Sequence, residues 1–164
     1  MIFVTVGTHE QPFDRLVQKM DQLVEQGVIQ EPVVIQTGYS TYEPKFCDHS
    51  KLLPFSQMQK CIDEARIIIT HGGPASFIAA LQVGKVPIVV PRKSELGEHV
   101  NDHQVEFSRA VAQRRNNILV VEDIETLGQT ISDYDTLVSQ LSMGQYENNG
   151  NFCKEFGALV EKLF

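Results

Sequence analysis

The sequence lacks the features that mark membrane, secreted and nucleic-acid-binding proteins. No apolar run approaches the roughly 18 residues of a membrane span, and the opening MIFVTVG has neither the basic region nor the length of a signal peptide. Its 14 Lys and Arg residues are scattered among 21 Asp and Glu, giving a formal net charge of -7. We therefore expect no direct membrane insertion and no binding of nucleic acid.

Cysteine is also scarce. Cys47, Cys61 and Cys153 are an odd number at wide spacing and form no CxxC pair, which argues against a disulfide framework and against a structural zinc site. A reducing cytoplasm fits this usage best. A length of 164 residues favours one domain, residues 1–164.

Short β-branched runs alternate with amphipathic segments along most of the chain. The predicted strands are 2–6, 32–36, 51–55, 66–70, 86–90 and 117–121. The predicted helices are a segment from Phe13 to near Gly27, then 56–65, 74–84, 100–113 and a last helix at 151–163. Near-continuous apolar strands that alternate with helices indicate a parallel sheet covered on both faces. The predicted fold is a doubly wound, Rossmann-like α/β domain.

A Gly-rich turn, THGGPAS, joins the predicted strand 66–70 to the next helix. Gly72 and Gly73 permit close approach to the backbone, Pro74 suits a first helical turn, and Ser76 adds a hydroxyl. This combination suits a phosphate. The alternative is a tight strand-to-helix turn in which His71 serves as a cap. Neither the P-loop pattern GxxxxGK[ST] nor the dinucleotide pattern GxGxxG is present.

A second polar stretch, GEHVNDHQ at 97–104, follows the strand 86–90. On a helix, His99 and His103 would share one face, with Asp102 between them, as in zinc sites. The alternative is that these side chains hydrogen-bond a hydroxyl-rich ligand. Both interpretations are open at this point.

Together the two stretches resemble the donor-binding signature of the glycosyltransferase family 28 C-terminal domain. The resemblance is greatest to the separately encoded subunits of bacterial exopolysaccharide and capsule glycosyltransferases and to the Alg13-type subunit of the eukaryotic N-acetylglucosaminyltransferase. VTVGTHEQPFDRLV at 4–17, IQTG at 35–38 and FSQM at 55–58 agree in order. The resemblance implies the C-terminal, donor-binding half of a GT-B fold.

The resemblance also implies a set of site residues for a UDP-sugar donor. The diphosphate would be bound by Gly72, Gly73, Ala75 and Ser76, and His71 and Ser76 would stabilise the leaving group. The uracil and ribose would lie along Phe55 and Met58. The donor sugar would be contacted by His103 and Gln104, with Asn101 and Asp102 near by. The sequence departs from the family at Ala79, where a ribose-binding Glu is common.

The function implied is inverting transfer of a hexose, with galactose favoured and N-acetylglucosamine as the alternative, from a UDP-sugar to a lipid-linked saccharide in exopolysaccharide or capsule synthesis. Fixed donors at a helix end can stabilise the departing diphosphate, so we expect neither a metal nor a cofactor. Because the first strand begins at residue 2, the acceptor-binding half is expected to be a separate, membrane-anchored subunit of the Alg14 type. The chain would then be cytoplasmic and peripheral to the inner face of the membrane.

Two alternative functions remain: a non-catalytic module that binds a nucleotide sugar, and a zinc-dependent hydrolase built on His99, Asp102 and His103. Three other side chains have two interpretations each. His9 either faces the cleft as a base or acceptor contact, or has a capping or loop role. Arg92 and Lys93 either screen the diphosphate or are solvated loop charges.

The last predicted helix carries an apolar stripe formed by Phe152, Phe156, Leu159, Val160 and Leu163. It either packs on this domain or braces the partner.

Overall fold

A computed structural model describes residues 1–141. The predicted last helix, residues 151–163, lies outside the described residues, as does Cys153. Within residues 1–141, no helix is long and apolar enough to cross a membrane.

Six parallel strands form one sheet in the order β3-β2-β1-β4-β5-β6. The strands are β1 Ile2–Thr5, β2 Val33–Gln36, β3 Asp48–Ser50, β4 Ile67–His71, β5 Ile88–Val90 and β6 Leu119–Val120. The helices are α1 Asp14–Glu25, α2 Phe55–Glu64, α3 Pro74–Gln82, α4 His103–Arg115, α5 Leu127–Ser132 and α6 Tyr134–Ser139. Short 3-10 turns cover Ser94–Leu96 and Ile124–Thr126.

Helices cover both faces of the sheet. Alternate strand residues point to opposite sides, and apolar residues on each side are buried against helices. Ile2 and Val4 of β1 belong to a cluster of buried residues with α1, α5 and α6. Phe3, between them, packs with residues of α2 and α3 on the other face. A third cluster joins α3 to α4, with Phe77 and Phe107 in contact at 5.8 Å between ring centroids. The doubly wound, Rossmann-like prediction is confirmed.

One predicted strand is wrong. Residues 51–55 do not pair in the sheet. The edge strand β3 lies just before them and consists of polar residues with intermediate or high exposure. Pro54 instead sits at the N-cap of α2, with φ -57° and ψ 151°, and the helix begins at Phe55. An edge strand pairs on one side only, so β3 requires no buried apolar run, and sequence periodicity gave no sign of it.

Helix α4 begins later than predicted, at His103 rather than at residue 100. It ends at Arg115, and the C-cap residue Asn116 has a positive φ of 53°, in the left-handed region that Asn tolerates. The short helices α5 and α6 were not predicted. Tyr134 at the start of α6 donates a 2.7 Å hydrogen bond to the carbonyl of Val86, which ties this end of the chain to the segment before β5.

Candidate functional site

The candidate site lies where the strand order reverses direction, between the carboxyl ends of β1 and β4. In open parallel sheets this crevice is where ligands bind, because the loops leave in opposite directions and helix N-termini face it. A cleft of about 800 Å³ opens here. It is lined from below by Thr5 and Gln36 at the ends of β1 and β2, whose side chains share a 2.5 Å hydrogen bond.

One wall of the cleft is apolar. It is formed by Leu52 and Leu53 before α2 and by Phe55 and Met58 in its first turn. Phe55 is 84% exposed and Leu52 is 52% exposed, although both are large and apolar. Such a surface gains free energy when a flat, apolar ligand face removes it from water.

The opposite wall is the Gly-rich turn at the N-terminus of α3. His71 ends β4, and its Nε2 lies 3.0 Å from the hydroxyl of Ser76. The amide of Gly73 donates to Nδ1 of the same ring at 3.1 Å. Burial lowers the pKa of His71 to about 3, and the positive charge of Arg92 adds to this effect. His71 is therefore neutral at physiological pH.

The glycines make room for protein side chains as well as for a ligand. A Cβ atom on Gly73 would lie 2.1 Å from Cε1 of His71, and one on Gly7 would lie 2.4 Å from Nε2 of the same ring. A Cβ on Gly72 would lie 2.8 Å from the Cβ of Gln104. The imidazole is thus enclosed between two backbone segments that no larger residue could provide without displacing it.

Gln104 links the ends of two neighbouring strands. Its side-chain oxygen accepts hydrogen bonds from the amides of Gly72 and Arg92, both at 3.1 Å. Gln104 is 6% exposed and also lines the cleft. The side-chain oxygen of Gln104 therefore holds the Gly-rich turn against the loop that follows β5.

These contacts limit which groups of the turn can meet a ligand. The amides of Gly72 and Gly73 already donate to side chains, Pro74 has no N–H, and the amide of Ser76 donates to the carbonyl of Gly73 at 3.1 Å. The polar hydrogens left for a ligand in this part of the described chain are those of the Ala75 amide and the Ser76 hydroxyl. Both residues line the cleft, at the positive end of the α3 dipole.

Arg92 is not a solvated loop charge, because it is fully buried. Its guanidinium donates to the carbonyls of Val6 at 2.6 Å, Gln11 at 2.7 Å and Glu98 at 2.9 Å. Burial lowers the pKa of Arg92 to about 10, while the charge of Glu98 opposes this shift. The side chain therefore joins the loop after β1 to the loop after β5 behind the cleft.

Two histidines that the sequence did not bring together meet at the cleft. The rings of His9 and His99 stack with centroids 4.6 Å apart and an interplanar angle of 16°, and both residues line the cleft. Burial lowers the pKa of His99, and electrostatic interaction with the neighbouring His9 and Arg92 lowers it further. The sequence interpretations for His9 include a cleft contact, and those for His99 are a zinc ligand and a hydrogen-bond partner of a hydroxyl-rich ligand.

The start of α4 does not have the arrangement of histidines that the zinc hypothesis assumed. Only His103 lies on the helix, and His99 lies in the preceding loop, so the assumption that both share one helical face is wrong. Asp102 accepts hydrogen bonds from the amide and hydroxyl of Ser94 at 3.0 and 2.9 Å, and Asn101 accepts from the amide of His103 at 3.0 Å. Residues 1–141 contain no cluster of three or more metal-ligating side chains.

Seven of the predicted site residues line one cleft: Phe55, Met58, His71, Gly73, Ala75, Ser76 and Gln104. Four do not line it: Gly72, Asn101, Asp102 and His103. Ala79, the departure from the family pattern, lies in the wall. Sequence reasoning assigned no role to Thr5, Gln36 or Gln59, which line the cleft, although Thr5 and Gln36 lie in the stretches 4–17 and 35–38 that agree with the family. Their position at strand ends or near the start of α2 is the signal that could have found them.

The cleft has an electrostatic character that differs from the rest of the chain. The protein carries a formal net charge of -7, but in the described residues no Asp or Glu lines this cleft. Its ionisable lining residues are His9, His71 and His99. An anion entering the cleft therefore meets no carboxylate, and the buried charge of Arg92 lies behind the wall.

Known proteins are similar to this chain over nearly its whole length. Its fold is similar to the glycosyltransferase of kitacinnamycin, with a TM-score of 0.58 and 15% identity over 99% of this chain and 43% of that chain. It is also similar to the glycosyltransferase SnogD from Streptomyces nogalater, with a TM-score of 0.52 and 16% identity over 93% of this chain and 42% of that chain. The chain thus spans less than half of either structure. No curated protein matches it.

The family comparison covers most of the sequence. The model of the glycosyltransferase family 28 C-terminal domain matches residues 1–159, which include every strand of the sheet and both walls of the cleft. Since this match extends well beyond half of the chain, the protein belongs to the glycosyltransferase family 28 C-terminal domain family.

Proposed function

We propose that this chain binds a UDP-sugar and forms the donor-binding half of an inverting glycosyltransferase. The observation that carries the proposal is that one cleft, at the point where the strand order reverses, has an apolar wall on one side and a helix N-terminus on the other. The exposed ring of Phe55 faces the space opposite a helix N-terminus that bears Ser76. An apolar aromatic wall suits a base, and the helix end suits a diphosphate. Membership in the family supports the same assignment.

The reaction proposed is displacement at the anomeric carbon of the donor. A hydroxyl of the acceptor forms a bond to that carbon while the bond from carbon to the diphosphate oxygen breaks. The electron pair of the broken bond leaves with UDP, and the acceptor proton passes to a base on the acceptor-binding half. Negative charge grows on the diphosphate in the transition state, so donors fixed at the α3 terminus stabilise the transition state more than the ground state.

The uracil and ribose are proposed to lie along Phe55 and Met58. Ala79 cannot hydrogen-bond the ribose hydroxyls, and Gln59 is the polar side chain of α2 that lines the same wall. We assign ribose recognition to Gln59 in place of the Glu that is common in the family. Loss of UDP-galactose affinity in a Gln59→Leu variant checks this assignment, and an unchanged dissociation constant contradicts it.

Replacing Phe55 with Ala is expected to weaken binding of UDP-galactose about tenfold. Stacking of a base on an aromatic ring contributes about 1 to 3 kcal/mol, and Phe55 is too exposed for its loss to cost much folding stability. Isothermal titration calorimetry gives the dissociation constants of the unsubstituted protein and of the Phe55→Ala variant. Phe46→Ala is the matched control, since Phe46 is also an exposed phenylalanine, at 50%, but does not line the cleft. Equal affinities of the two variants would remove the base from this wall.

The acceptor-binding half is proposed to be a separate, membrane-anchored subunit, which would hold this chain at the inner face of the membrane in the cytoplasm. The support is the resemblance of THGGPAS and GEHVNDHQ to the separately encoded subunits of exopolysaccharide and capsule enzymes. Galactose is the favoured sugar for the same reason, with N-acetylglucosamine second, and a lipid-linked saccharide is the proposed acceptor.

Transfer of labelled galactose to extractable lipid is therefore expected only when the chain is co-expressed with its membrane-anchored partner. The purified chain alone is expected to bind the donor without turning it over. Transfer by the chain alone at the rate of the co-expressed pair would show that no separate acceptor-binding subunit is required.

A further inference from the structure

The imidazole of His71 has a defined partner at each nitrogen, and the side chain of Gln104 is a further hydrogen-bond partner of the ring. The backbone amide of Gly73 lies 3.1 Å from Nδ1, and the hydroxyl of Ser76 lies 3.0 Å from Nε2. A backbone amide can only donate, so Nδ1 must accept and carries no hydrogen. In a neutral imidazole the hydrogen is then on Nε2, and it is donated to the oxygen of Ser76.

This order of donors and acceptors fixes the role of the Ser76 hydroxyl. The oxygen accepts from His71, so its own hydrogen must point to a different partner. Ser76 lies in the wall of the cleft, at the N-terminus of α3. The hydroxyl is therefore set as a donor toward the space in which the diphosphate is proposed to lie.

The surroundings of His71 preserve this tautomer. The ring is 7% exposed, and Gly7 and Gly73 enclose it so closely that a Cβ on either would collide with it. Burial and the charge of Arg92 lower the pKa of His71 to about 3, so the second proton is not taken up at physiological pH. Protonation of Nδ1 would also remove the acceptor for the Gly73 amide.

We propose that His71 is a positioning residue, which acts on the donor only by holding the Ser76 hydroxyl as a hydrogen-bond donor to the diphosphate. This inference rests on the proposed function. It excludes two other roles for the pair. A neutral His71 adds no charge to bind a phosphate, and an Nε2 that already carries a hydrogen cannot take the proton of Ser76 to make a nucleophile.

A double-mutant cycle on UDP-galactose affinity tests the proposal. Ser76→Ala is expected to weaken binding at least tenfold, because a hydrogen bond to a charged oxygen is lost. His71→Leu is expected to cause a similar loss in the presence of Ser76 and less than a twofold loss in the Ser76→Ala background. Multiplicative losses would show that His71 acts independently of Ser76 and would overturn the proposal.

Nitrogen NMR of the unsubstituted protein gives a second readout that needs no variant of His71 to fold. The expected spectrum shows a hydrogen on Nε2, none on Nδ1, and no titration of this ring between pH 5 and pH 8. A His71 that carries its hydrogen on Nδ1, or that titrates in this range, overturns the positioning role. Absence of UDP-galactose binding by the unsubstituted protein has a different meaning, since it overturns the proposed function together with this inference.

Discussion

Replacing Arg92 with Met is expected to lower the free energy of unfolding by about 3 kcal/mol or more. Three backbone carbonyls, of Val6, Gln11 and Glu98, lose their donor in the interior. A buried polar group left without a partner costs about 1 to 3 kcal/mol, and water has no access to replace a guanidinium that is fully buried. Urea unfolding measures the loss as a lower midpoint at constant slope.

Arg109→Met is the matched control for Arg92. The Arg109 guanidinium pairs with a carboxylate, that of Glu122, with Nε 2.8 Å from Oε2, and its side chain is 58% exposed. A surface pair of this kind contributes about 0 to 1 kcal/mol. If the two substitutions lower the midpoint equally, the interior hydrogen bonds of Arg92 do not hold the two loops together.

The role of Arg92 could not be predicted from the sequence. In PIVVPRKSE the charged pair follows a strand, and such a pair is normally solvated. Its burial depends on three carbonyls that lie up to 86 residues away along the chain. The same limit applies to the stack of His9 and His99, which belong to loops after different strands. Local pattern does not encode contacts of this range.

The parts that could be predicted are those that depend on local physics. Runs such as IIIT are apolar on both faces, which indicates an interior parallel strand, and the turn THGGPAS marks the passage from strand to helix. That turn lies where the strand order reverses direction, because it follows β4, which is next to β1 in the sheet. The edge strand β3 could not be predicted, because Asp48, His49 and Ser50 carry no apolar signal.

The two glycines of the turn show how a motif can be located correctly while its physical basis differs. Sequence reasoning assigned Gly72 and Gly73 to close approach by a phosphate. In the structure their lack of a side chain admits His71 and Gln104, and their amides bond to those same side chains. A glycine pattern in a sequence indicates that space is needed there, without indicating which group fills it.

Replacing Gly73 with Ala is therefore expected to lower the free energy of unfolding by about 2 kcal/mol, within the range for overpacked interiors. The new Cβ would lie 2.1 Å from Cε1 of His71, so the ring must move. The backbone of Gly73 has φ -71° and ψ 126°, which any residue adopts, so the collision is the whole cost. Displacing the ring also releases the Ser76 hydroxyl, and UDP-galactose affinity is expected to fall about tenfold, in the range of one charge-assisted hydrogen bond.

Removing the His71 ring is expected to suppress the destabilisation caused by Gly73→Ala. In a protein that already carries His71→Ala, the ring is absent, and Gly73→Ala is expected to change the unfolding midpoint little or to raise it slightly, since Ala restricts the unfolded chain more than Gly does. Urea unfolding of the four proteins in this cycle isolates the coupling between the two positions. Because the new Ala side chain collides with the imidazole, Gly73→Ala is expected to lower the free energy of unfolding only in the protein that retains His71. An equal loss in both backgrounds would assign the requirement for Gly73 to the backbone of the turn instead.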